Sequence, residues 1–145
     1  MQVEIKKLYE ESKLPTQGSE YAAGYDVYAY IPEGAVSIPP HQTKLISTGI
    51  ALATPVGYAS FLYARSGLAT KQGVRPANCV GVIDADYRGE VFMGAHNDTD
   101  EIRTVTNGDR IGQLIIAPVE RIEWKEVSEL DATKRGAGGF GSTGL

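Results

Sequence analysis

Along most of the chain, apolar and polar positions alternate with a period of two, as expected of strands buried on one face. Residues 1–8 place Val3 and Ile5 inward. Residues 24–31 put Tyr25, Val27 and Ala29 on one face and Asp26, Tyr28 and Tyr30 on the other. Residues 43–52, 57–64, 90–97 and 110–118 predict further strands, rich in β-branched and aromatic side chains and bounded by Gly, Pro, Asn and Asp. Pro39-Pro40 and Asn107-Gly108 are firm breaks. Helical spacing is scarce. Ser66 predicts an N-cap ahead of a short helix over 67–71. Residues 119–130 fit either a strand, through Ile122 and Trp124, or a helical turn, through Val127 and Leu130. Many short strands between turns predict an all-β antiparallel sandwich or barrel.

Composition narrows the classes of function. At 145 residues the chain suits one domain with a real core, and 42% hydrophobic against 22% charged residues argues for a globular rather than a disordered protein. A net charge of −4 speaks against a general nucleic-acid binder, but leaves room for a small anion held by a few local cations. The single Cys79 excludes an intrachain disulfide and a multi-cysteine zinc site, and reads as a small buried hydrophobe. The first residues carry no apolar leader and no run of 18 apolar residues occurs, so a cytoplasmic protein without a membrane partner is expected.

The densest chemistry lies in residues 81–91, GVIDADYRGEV. Asp84 and Asp86 follow the apolar Val80, Val82 and Ile83, and in an extended strand they point to the same face. A carboxylate leaving an apolar strand risks its water shell, at a cost that partners or a raised pKa must offset. Two acids beside Tyr87, where strand gives way to turn, suggest a site. The alternative is a hairpin turn in which both acids satisfy backbone amides.

Three other segments offer contacts to an anion. From Arg135 the sequence runs RGAGGFGSTGL, with five glycines in ten residues. Such a tail reads as a floppy terminus, yet Arg135, Phe140, Ser142 and Thr143 supply a forked cation, a stacking ring, two hydroxyls and free amides suited to a phosphate chain carrying a base. It would close over a ligand and order on binding. In residues 63–73, Arg65, the Ser66 hydroxyl and the helix amides converge on one anion site if Ser66 caps the helix; otherwise both have local roles. Gln113 shares a face with Ile111 and Ile115, where its amide needs a partner, in the backbone or in a ligand. Other chemistries fall away. The tail lacks the lysine of a phosphate-binding Walker loop, His41 and His96 stand alone, and one cysteine cannot make the zinc-deaminase set.

Taken in order, AGYDVYA (23–29), RSGLA (65–69), NCVGVIDADYRG (78–89), GDRIGQLI (108–115) and RGAGGFGSTG (135–144) resemble the five motifs of the trimeric dUTPase family, over about 120 residues. The resemblance implies a distorted jelly-roll-like β-sandwich over residues 1–130, with a glycine-rich arm over 131–145 and one short helix. It implies a homotrimer that hydrolyses dUTP to dUMP and pyrophosphate with Mg2+, limiting uracil incorporation into DNA and supplying dUMP for thymidylate synthesis.

By position, Asp84 would be the general base for in-line water attack on the α-phosphorus. Tyr87 would pack under the deoxyribose, and Asn78 with nearby backbone would read the uracil edge. Gly67, Gly81, Val82, Ile83 and Gly141 join the substrate-binding set. Arg65, Ser66 and Gln113 would contact phosphates, and Asp26 would hold waters of the triphosphate-bound magnesium. Arg135, Ser142 and Thr143 would grip the γ-phosphate while Phe140 covers the uracil. In the family each site draws on three subunits, and fifteen residues from Asp131 would reach roughly 50 Å when extended. Departures from the family pattern are Ala64 for a frequent proline, Gly112 for a common alanine, and Cys79 within the base-reading stretch.

Overall fold

Strand alternation carries over into the computed structural model, which describes residues 1–139. Among these the elements run β1 (Glu4–Lys7), β2 (Thr16–Gln17), β3 (Tyr25–Tyr28), β4 (Ala35–Ile38), β5 (Thr43–Ser47), β6 (Ile50–Ala53), β7 (Tyr58–Ala64), α1 (Ser66–Gln72), β8 (Val74–Pro76), β9 (Val80–Ile83), β10 (Phe92–Asn97), β11 (Arg103–Thr106) and β12 (Arg110–Pro118). The largest sheet has the order β2-β3-β12-β7-β9. A second runs β5-β10-β8, and β1-β6 and β11-β4 form two-stranded pieces. The fold is an all-β, jelly-roll-like antiparallel sandwich with a single short helix among the described residues. Val27, Ile38, Ile46, Ile50, Met93 and Ile111 are sealed in one core cluster fed by all the sheets.

Several strand expectations need correction. Residues 43–52 form two strands rather than one: Gly49 adopts φ +65°, and an added Cβ there would stand 2.9 Å from the Ser12 Cβ, so the chain turns and passes from one sheet to another. Ile5 is exposed, although Val3 packs against the core as expected. Alternation fails in β3, where Asp26 and Val27 are both buried because β2 and β12 flank the strand and cations cover the acid. Strands β4, β8 and β11 are three or four residues long, too short for a pattern to announce them.

The helix starts at Ser66 itself. Arg65 occupies the cap position with extended dihedrals and no side chain caps the helix, so Ser66 is not the N-cap expected of it. Gly73, at φ +65°, closes the other end by donating to the Ala69 carbonyl at 3.1 Å. Residues 119–130 adopt neither of the two expected conformations: beyond Pro118 the described chain has no helix or strand. Trp124 and Leu130 stand more than four-fifths exposed there. No helix of the described residues is long and apolar enough to cross a membrane.

Candidate active site

β9 lies against β7, with Gly81 opposite Leu62 and Ile83 opposite Ser60. A turn at Asn78 and Cys79 leads into it: the Cys79 amide donates to the Pro76 carbonyl at 3.0 Å, and Cys79 holds φ +62°. Cys79 is exposed, which corrects the expectation of a buried hydrophobe. A Cβ on Gly81 would stand 3.3 Å from the Leu62 Cβ, so glycine lets the strand sit close to its neighbour.

At its other end β9 stops at Ile83, and the Tyr87 amide closes a turn on the Asp84 carbonyl at 3.2 Å. Asp84 and Asp86 therefore do not share a strand face. Both are exposed, so the loss of hydration foreseen for Asp84 is absent within one chain. Neither carboxylate accepts a hydrogen bond among the described residues, so the alternative of two acids satisfying backbone amides fails as well. Around the turn opens a cavity of about 250 Å³, lined by Asn78, Gly81, Val82, Ile83, Asp84 and Tyr87. Leu62, Glu90, Val91 and Phe92 complete its wall. The Tyr87 hydroxyl donates to the Glu90 carbonyl at 2.9 Å.

Asp26 anchors a second cluster. Arg65 Nε donates to its Oδ1 at 2.9 Å and Arg110 donates to its Oδ2 at 3.1 Å. The carboxylate side chain is 6% exposed, so two cations answer a nearly buried charge. Removing one member of such a group leaves an uncompensated charge, a loss of roughly 3–5 kcal/mol. Sheet register sets Asp26 opposite Gln113, and Gln113 opposite Tyr63. Ser66 and Gly67 follow Arg65 at the exposed start of α1.

These two clusters lie apart in one chain. Asp84 leaves β9 beyond the Ser60 row, whereas Asp26 sits in the Tyr63 row three strands away. On the strand lattice that separation is about 20 Å. The cavity thus gathers Asn78, Gly81, Val82, Ile83, Asp84 and Tyr87, but not Asp26, Arg65, Ser66, Gly67 or Gln113. Arg135 bonds within its own tail, its Nε donating to the Gly138 carbonyl at 2.9 Å. Phe140, Gly141, Ser142 and Thr143 lie outside the described residues.

Sequence reasoning missed Glu90 and Gly89, which hold Tyr87 from beneath; a glycine two places after an aromatic ring was the available signal. It also missed Arg110 as the second partner of Asp26, a pairing that only the β3–β12 register creates. No cluster of three or more His, Cys, Asp or Glu side chains placed to hold a metal occurs among the described residues.

A family model described as dUTPase matches residues 10–144. The chain is 49% identical over 143 residues to the deoxyuridine 5′-triphosphate nucleotidohydrolase of Syntrophotalea carbinolica, covering 99% of this chain and 97% of that one. To the protein of the same name from Maricaulis maris it is 46% identical over 145 residues, covering 98% and 95%. Among solved structures, the dUTPase of Staphylococcus bacteriophage 80alpha with dUpNHpp superposes with a TM-score of 0.89 at 27% identity, covering 99% of each chain.

Proposed function

The chain belongs to the dUTPase family, and on that premise we propose that it hydrolyses dUTP to dUMP and pyrophosphate at the cavity lined by Asp84 and Tyr87. The observation that supports this most is that Asn78, Asp84 and Tyr87, drawn from one short segment, meet on one cavity while Asp84 stays open to water. Asp84 takes a proton from a water molecule. The water oxygen forms its bond to the α-phosphorus as the bond from that phosphorus to the bridging oxygen breaks, and pyrophosphate leaves. Asn78 and the backbone of Gly81, Val82 and Ile83 hold the uracil edge, and the Tyr87 ring packs under the deoxyribose where a 2′-hydroxyl would collide.

The phosphates need cations that this cavity lacks. Arg65 spends its Nε on Asp26 and an Nη1 hydrogen on the Arg110 carbonyl, and of five N–H donors the rest remain for an anion. With Ser66, Gly67 and Gln113 it binds the triphosphate. The distance between the clusters supports a homotrimer in which one subunit supplies Asp84, another the Arg65 cluster and a third the arm over 131–145. Arg135, Ser142 and Thr143 then grip the γ-phosphate, with Gly141 among the substrate contacts and Phe140 over the base. Exposed Trp124 and Leu130, which precede the arm, fit a segment lying on a neighbour.

The residues fit magnesium carried in by the triphosphate. Each Asp26 oxygen accepts one arginine and keeps room for a hydrogen bond from a metal-bound water. When bound, the ion neutralises phosphate charge and aids departure of pyrophosphate. A cytoplasmic place of action, limiting uracil in DNA and supplying dUMP, goes with this reading.

Pyrophosphate and ammonia release from dUTP, dCTP, dTTP and UTP, with and without magnesium, tests it. The expected result is pyrophosphate from dUTP above the others. Ammonia from dCTP, or no pyrophosphate from dUTP, would overturn it.

A further inference from the structure

The Tyr87 ring is held by two residues outside the substrate contacts just described. Its hydroxyl donates to the Glu90 carbonyl at 2.9 Å, and its ring lies across Gly89 so closely that a Cβ there would stand 2.5 Å from Cζ. No side chain fits under the ring at residue 89.

Glu90 is itself fastened to a distant corner. Its Oε1 accepts from the Gly49 amide at 2.8 Å and from the Ser47 hydroxyl. The next residue is tied there too: the Val91 amide donates to the Ile50 carbonyl at 2.9 Å, and the buried Thr48 hydroxyl donates to the Val91 carbonyl at 2.5 Å. Four bonds thus join the corner between β5 and β6 to the two residues that carry the tyrosine's acceptor. A carbonyl held this firmly fixes the hydroxyl, and the empty space over Gly89 fixes the ring plane.

We propose that Gly89 and Glu90 are positioning residues that clamp the Tyr87 ring and thereby set discrimination between deoxyribose and ribose. This rests on the reading of Tyr87 as the sugar platform. A ring held in one place excludes a 2′-hydroxyl; a ring free to swing admits it.

The test is the ratio of kcat/KM for dUTP to that for UTP, measured on each variant after its fold is checked by circular dichroism. Gly89→Ala pushes the far end of the ring outward and lowers the ratio by about tenfold, chiefly by admitting UTP at lower KM. Glu90→Ala does the same, whereas Glu90→Gln, which keeps an oxygen for Gly49 and Ser47, holds the parental ratio. Tyr87→Phe loses only the bond to Glu90 and falls between. Should Glu90→Ala fail to fold, Ser47→Ala replaces it, loosening one of the two bonds to the carboxylate. Tyr87→Ala in the same assay separates the premise from the inference. If its ratio is unchanged, the platform reading fails and the clamp with it. If its ratio falls while Gly89→Ala and Glu90→Ala keep the parental value, the platform stands and the clamp is wrong.

Discussion

Asp26 is the residue on which this molecule concentrates the most charge in the least water. Its carboxylate is almost wholly buried between Arg65 and Arg110, in the cluster proposed above to meet the triphosphate. Asp26→Ala leaves two guanidinium groups facing each other without an anion, and is expected to cost about 3 kcal/mol of stability, read as a lowered midpoint in urea. Unfolding at the parental midpoint would mean that solvent already screens the pair. Legibility at this scale followed locality. That Asn78, Asp84 and Tyr87 meet on one cavity was legible because they belong to one short segment. Glu90 was not, because its partners Ser47 and Gly49 stand more than forty residues away. Cys79 was misread for a related reason: a left-handed backbone at a non-glycine residue depends on the turn around it, not on the side chain.

At the scale of elements, the longest strand was legible in full, while β4, β8 and β11 were not. β12 matches its expected span because nine residues of alternation outweigh any local ambiguity. β8 offers three residues, one of them proline, and a side-chain pair reinforces its pairing with β10. Arg75 donates Nε and Nη2 to the two oxygens of Asp98, at 2.6 and 2.9 Å, tying β8 to the turn that follows β10. Those bonds hold the Asp98 carboxyl below its ordinary value of 3.8 and the Arg75 guanidinium above its own. A carboxyl depressed in the folded state stabilises the fold above its unfolded pKa and loses that contribution as pH falls through the folded value. Asp98→Asn should therefore melt below the parent at pH 7, and the gap should close as pH drops below about 3.8. A gap that persists in acid would show that packing, not charge, ties the two elements together.

At the scale of the whole molecule, the cavity around Asp84 and the Asp26 cluster lie about 20 Å apart on the sheet lattice of a single chain. It also exposes Trp124, Ile122 and Leu130 along a segment without regular structure. The proposed homotrimer accounts for both features, and neither was readable from periodicity, since 119–130 fits two conformations as sequence and adopts neither. Removing residues 135–145 should abolish most turnover while the sandwich still melts cooperatively. Mixing that truncated chain with an Asp84→Asn chain, each nearly inactive alone, should restore part of the activity after co-refolding. No recovery from any mixture would confine each site to one subunit.

The role of Asp84 is tested most directly by single-turnover release of pyrophosphate from dUTP by Asp84→Asn, beside equilibrium binding of a non-hydrolysable analogue such as dUpNHpp. The expected result is a rate lowered by at least about 10²- to 10⁴-fold with analogue affinity nearly unchanged, because the amide keeps the shape of the site but cannot take a proton from water. A variant that turns over at the parental rate, or loses affinity in proportion to rate, would contradict the account.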